Sequence, residues 1–85
     1  MIEVFVFQVT QTSQIFVKKD VNVTVKVKAE QGVFIGPEDV TIETGFPVGD
    51  SYQTFNLQAN DFLYVVGSYP DTHMRVMVYS NTPIV

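Results

Sequence analysis

Asp20-Val21-Asn22-Val23-Thr24-Val25-Lys26-Val27-Lys28 alternates valine with a polar residue at every step. A period of two sets the four valines on one face of a β-strand and Asn22, Thr24, Lys26 and Lys28 on the other. The stretch therefore predicts a strand with one face in a core and one in water, and it sets the period against which the rest of the chain is read. Lysines standing together on the wet face also discourage edge-to-edge pairing with other chains.

Toward the C-terminus, Gly36-Pro37, Phe46-Pro47 and Val48-Gly49-Asp50 each force a turn between Gly32 and Asp50, because glycine admits positive φ and proline fixes φ and gives up its N–H. Strands between such turns are only a few residues long. The spacing predicts short strands over 33–35 and 40–43, a single helical turn at most at Pro37-Glu38-Asp39, and a turn over Gly45-Phe46-Pro47-Val48-Gly49, with Phe46 plugging one end of the fold. That last stretch has no lysine and no following helix, so it is not a phosphate-cradling loop.

Toward the N-terminus, residues 2–9 also read as a strand, but both faces are apolar: Ile2, Val4 and Val6 on one, Phe5, Phe7 and Val9 on the other. A terminal strand in so small a domain is hard to bury on both sides within its own subunit, so one face is expected to meet another chain. Further strands are expected over 15–18, 52–57, 62–66 and 74–79, separated by Gly, Pro, Asn and Asp clusters. The cadence is all-β, and an antiparallel β-sandwich or jelly-roll-like barrel is its natural closure. The organisation expected is an N-terminal arm or strand over 1–13, contacting other subunits or a shell, followed by a β-sandwich domain over 14–85.

Bulk composition agrees with a fold that leans on association. A chain of 85 residues is one domain, and a domain of this size buries only about 60–65% of the surface its unfolded chain exposes. With no cysteine and one histidine, disulfides and metal offer little support, which leaves contact with other subunits. Hydrophobic residues are 46% and charged residues 16%, which leaves much of the surface uncharged or apolar, and that suits permanent contacts. The start Met1-Ile2-Glu3 lacks the basic and long apolar regions of a secretory signal, and no apolar run approaches the length of a membrane helix, so a soluble, unexported chain is expected.

Net charge is −4, unevenly divided: Lys18, Lys19, Lys26 and Lys28 stand against Glu3, Asp20 and Glu30 up to Gln31, while beyond it Arg75 alone opposes six carboxylates. An acidic half repels phosphate backbones and four lysines are too few to hold a duplex, so direct nucleic-acid binding is not expected.

Residues with chemical potential are sparse. His73 sits in Tyr69-Pro70-Asp71-Thr72-His73, which reads as a solvent-facing hairpin turn, and a serine nucleophile would have to come from Ser51, Ser68 or Ser80 elsewhere. Glu38-Asp39 begins no calcium-loop spacing, and Asp50 and Asp61 precede strands, where aspartate bonds its own turn backbone. Asn22-Val23-Thr24 matches a glycosylation sequon by chance in a chain without a secretory signal. Tyr52, Tyr64, Tyr69 and Phe46 could offer a stacking platform, although packing accounts for them as well. Neither catalysis, cofactor nor metal is expected.

Several segments in order carry a resemblance: Val33-Phe34-Ile35-Gly36, Asp39-Val40-Thr41, Thr44-Gly45-Phe46-Pro47-Val48, Phe55-Asn56-Leu57, Asp61-Phe62-Leu63-Tyr64-Val65-Val66 and Val76-Met77-Val78. Together, over about residues 21 to 79, the chain resembles small β-sandwich virion proteins of tailed bacteriophages, of the capsid decoration or cement type. The resemblance implies a non-enzymatic protein on the capsid exterior, made in the bacterial host cytoplasm. It would bind the major capsid protein and itself, as a homo-oligomer and by resemblance a trimer, with neither nucleic acid nor membrane as partner. Gly36, Gly45, Phe46, Pro47, Gly49 and Tyr64 carry over as structural positions. The contacts expected to bind partners are Ile2, Val4, Phe5 and Phe7, with Ile84 and Val85 in a second apolar segment that starts at Pro83. A tail or fibre component is the nearest rival, and a carbohydrate-binding module using Tyr52 and Tyr69 is the rival of another class.

Overall fold

The computed structural model describes residues 2–30 and 32–80, and among them there are eight strands and no helix. They are β1 (Ile2–Val9), β2 (Gln14–Lys18), β3 (Val23–Ala29), β4 (Val33–Gly36), β5 (Phe46–Val48), β6 (Gln53–Leu57), β7 (Phe62–Gly67) and β8 (Thr72–Ser80). Two four-stranded antiparallel sheets pack face to face: sheet A in the order β1-β8-β3-β6 and sheet B in the order β2-β7-β4-β5. The pairing has a simple logic. β1 pairs β8, β2 pairs β7, β3 pairs β6 and β4 pairs β5, as in one long hairpin with its tip between β4 and β5. Rolling that hairpin up adds the β3–β8 and β4–β7 ladders that complete the sheets. This is the jelly-roll arrangement of a β-sandwich.

The alternating valines do what their period requires. Val23, Val25, Val27 and Ala29 of β3 are buried against Met74, Val76 and Val78 of β8 and against Val33, Ile35 and Val65 of sheet B. β2 departs from alternation: its register shifts between Ile15 and Val17, and this bulge lets the consecutive Phe16 and Val17 both point inward. Aromatic pairs close the two long sides of the sandwich. Phe7 of β1 meets Phe16 of β2 with ring centroids 6.2 Å apart, and Phe46 of β5 meets Phe55 of β6 edge-on at 5.5 Å. On the first side Lys19 also reaches Glu3, at 2.9 and 3.0 Å to its two carboxylate oxygens. Both partners are about a third exposed, so the pair is worth at most about 1 kcal/mol.

The structure corrects the reading of 37–49. Residues 40–43 form no strand, and Phe46–Val48, read as a turn, is edge strand β5. Thr41 and Thr44 explain the exchange. The Thr41 hydroxyl accepts from the backbone N–H of Glu43 and Thr44, the Thr44 hydroxyl accepts from the N–H of Thr41, and the Thr41 carbonyl accepts from Gly45 N–H at 2.8 Å. Local side-chain bonds of this kind compete with strand pairing and win. Pro47 is tolerated because β5 has β4 as its one neighbour. At Pro37-Glu38-Asp39, where a single helical turn at most is expected, the chain makes a tight turn and no helix, closed by Val40 N–H to the Pro37 carbonyl at 2.9 Å.

The 37–45 loop folds back over the outer face of sheet B. Val40 is 4% exposed, and it presses so close to the chain that a Cβ on Gly36 would lie 2.8 Å from its Cγ2. A Cβ on Gly45 would lie 2.6 Å from the Cβ of Phe34, an outward-facing residue of β4. Glycine is therefore required at both positions for the loop to lie down.

Two further expectations change. Residues 68–71 do not make a hairpin: β7 belongs to sheet B and β8 to sheet A, so Tyr69-Pro70-Asp71 carries the chain across the sandwich, and Thr72 and His73 already lie in β8. Residues 2–9 are paired along their whole length with β8. The N-terminal strand is thus an edge of the sandwich, not an arm apart from it.

Candidate functional site

The outer face of sheet A is laid out by register. One cross-strand row runs Ile2, Tyr79, Thr24, Asn56; the next runs Val4, Met77, Lys26, Thr54; the third runs Val6, Arg75, Lys28. Tyr52 continues the third row, with the Lys28 ammonium 5.2 Å from its ring centroid, and Lys26 stands 5.8 Å from that of Tyr79. The β1 side of the face is an apolar strip, since Ile2, Val4 and Val6 are 64%, 56% and 58% exposed. The middle is cationic, and the β6 side is uncharged and polar. Lys28 and Arg75 are direct cross-strand partners, a pairing of like charges that works against the sheet.

The expected contact residues divide by the pleat of one strand. Ile2 and Val4 lie on the exposed face and Val6 joins them. Phe5 and Phe7 turn to the other side and pack against the core, so their rings hold the two sheets together within the subunit. Ile84 and Val85, with Pro83, lie outside the described residues. Arg75, Met77 and Tyr79 complete the face without having been singled out in the sequence. The signal was there: Met74, Val76 and Val78 are the inward set of β8, and their alternates must point the opposite way.

The edges of the sheets are guarded unequally. β5 is three residues long with a proline, β2 carries a bulge and Lys18, and β6 is short with Thr54 and Asn56 on its outer face. β1 is eight residues long with apolar side chains facing out and neither proline nor lysine. Its one charge, Glu3, is taken up by Lys19. Short strands, bulges, prolines and charges are the devices that keep edges from pairing, and β1 has least of them.

Where the third row ends, a groove of about 540 Å³ opens, lined among others by Glu30, Asp50, Asp71, His73 and Arg75. Gln8 donates to the Asp71 carboxylate at 3.0 Å. His73 is exposed, and Ser51, Ser68 and Ser80 do not line the groove. Among the described residues no three carboxylates or histidines gather as metal ligands. The turn acids and amides act locally: Asp61 accepts from Gln58 N–H at 3.3 Å and Asn22 from Ala59 N–H at 2.8 Å. Asn60, at φ 71°, turns the chain between them. Among the described residues no helix is long and apolar enough to cross a membrane.

Searches against protein-family models, curated proteins and solved structures find no match for the chain.

Proposed function

We propose that the protein is a non-enzymatic structural component of a tailed-phage particle, which decorates the capsid exterior by binding the major capsid protein and further copies of itself. The phage setting comes from the sequence resemblance; the observation that carries the binding role is the exposed row Ile2, Val4, Val6 on the least guarded edge of the sandwich. Burying three side chains that are already roughly 40% covered adds on the order of 1 kcal/mol each. About 3 kcal/mol is roughly a hundredfold in affinity, too little for a lone tight complex and enough when repeated over a shell. The carbohydrate reading gains no comparable support. One face of Tyr52 is occupied by Lys28, and the Tyr69 ring lies against Gly32, where a Cβ would come within 2.7 Å.

Deleting residues 1–9 would take Val9 out of the core, so the test is substitution on the exposed face. Ile2→Thr/Val4→Thr/Val6→Thr keeps β-branched residues on the strand and is expected to leave folding unchanged while weakening co-sedimentation with purified capsid shells about a hundredfold. Undiminished shell binding by that variant would sink the reading.

A further inference from the structure

We propose that the outer face of sheet A docks onto the acidic loop roofing sheet B of a second copy of the same chain, so that copies associate head to tail. The inference rests on the self-association part of the proposed function and not on its shell-binding part. Three of the chain's five lysines and arginines, Lys26, Lys28 and Arg75, occupy adjacent register positions on one face, and no carboxylate stands in the three rows around them. Glu30, Asp50 and Asp71 lie beyond the third row, in the groove that Lys28 and Arg75 also line, without forming an ion pair with either. Among the described residues the ion pair present is Lys19 with Glu3, so among those residues none of these three cations has a carboxylate in contact.

The opposite side of the same molecule carries the complement. Glu38, Asp39 and Glu43 are exposed on the 37–45 loop, which holds no cation and presents Ile42 at 48% exposure. The core lies between the two sheets, so the two surfaces face away from each other and cannot pair within one subunit. Sheet A against sheet A would set cations on cations, and loop against loop would set acids on acids; like charges facing across an interface reject such partners. The arrangement that matches charge to charge is heterologous. Repeated contacts of that kind give a ring if the rotation closes and a filament if it does not. Docking also places carboxylates beside Lys28 and Arg75, which relieves the like-charge pairing held in the β3–β8 ladder.

A charge swap followed by sedimentation velocity tests this. Lys26→Glu/Lys28→Glu gives a chain with two acidic faces, and Glu38→Lys/Glu43→Lys a chain with two basic ones. Each alone is expected to self-associate roughly a hundredfold more weakly than the unaltered protein, and an equimolar mixture is expected to regain assembly, because both heterotypic contacts then match. An unaltered protein that stays monomeric would overturn the proposal. Swapped chains that assemble alone, or a mixture that does not recover, would do the same. Should a reversal unfold the chain, Lys26→Gln/Lys28→Gln read by the same measurement is expected to weaken assembly, and unchanged assembly counts against the proposal. Shell binding is scored separately by co-sedimentation with particles, so loss of either result leaves the other legible.

Discussion

The two sheets meet the outside differently. Sheet B is roofed in part by its own chain: the 37–45 loop lies over β4 and the Val66 end of β7, Val40 is buried there, and the acids of the loop are exposed. Ile15 and Phe62, farther along the same face, stay 43% and 41% exposed. Among the described residues sheet A has no such roof, and its outer face shows an apolar strip beside three cations. Both sheets pack well on their inner sides, so the difference is not one of core quality. The loop covers part of one outer face, and no described segment covers the other. If that contrast is right, damage to the roof should appear as lost folding stability, and damage to the bare face as lost association.

The roof should be the more costly to break. Val40→Asp puts a carboxylate at a 4% exposed position with no cation on the loop to receive it, and is expected to cost about 3–5 kcal/mol of folding free energy in urea titration. A loss below about 1 kcal/mol would mean that the loop lifts off at little cost and that sheet B is as bare as sheet A. Gly45→Ala should follow. Its new methyl meets Phe34 Cβ, Val40 Cγ2 and the Thr41 carbonyl within 3.0 Å, and overpacking of this kind costs about 1–3 kcal/mol. Gly49→Ala is its control, since a Cβ there meets nothing within 4 Å; equal losses at the two glycines would deny that close contact holds the roof down.

The same contrast decides what was legible in the sequence. Period-two valines place β3 and, through it, the core, because alternation is a property of the strand alone. Residues 40–43 misled for a related reason. Val-Thr-Ile-Glu has the composition of a strand, yet Thr41 and Thr44 spend their hydroxyls on their own backbone and Val40 is used as an anchor. Propensity reports what a segment could pair with and is silent on local bonds that divert it. On β1 the doubly apolar pattern revealed that one face would lack cover. Which face it was depended on how the hairpin rolls, and that set Ile2, Val4 and Val6 outward and Phe5 and Phe7 inward. The cationic band was least legible, since Lys26, Lys28 and Arg75 are brought together by the β3–β8 ladder across nearly fifty residues of chain.

The smallest effect bears most directly on why the bare face keeps its charges. Lys28 and Arg75 sit opposite each other in the sheet, an arrangement that costs a few tenths of a kcal/mol relative to a neutral pair. Arg75→Thr removes the repulsion and supplies a residue well suited to a strand, so the isolated subunit should become more stable by about 0.2–0.5 kcal/mol. The shift is readable as a higher urea midpoint with unchanged slope. Self-association should weaken at the same time, because the substituted residue is one of three cations facing the acidic loop of the next copy. Opposite signs in the two readouts are what a surface held for binding produces, since stability there is given up for function. Loss in both would assign Arg75 a structural role through the carboxylates of the neighbouring groove, and the asymmetry between the two faces would then reflect folding alone.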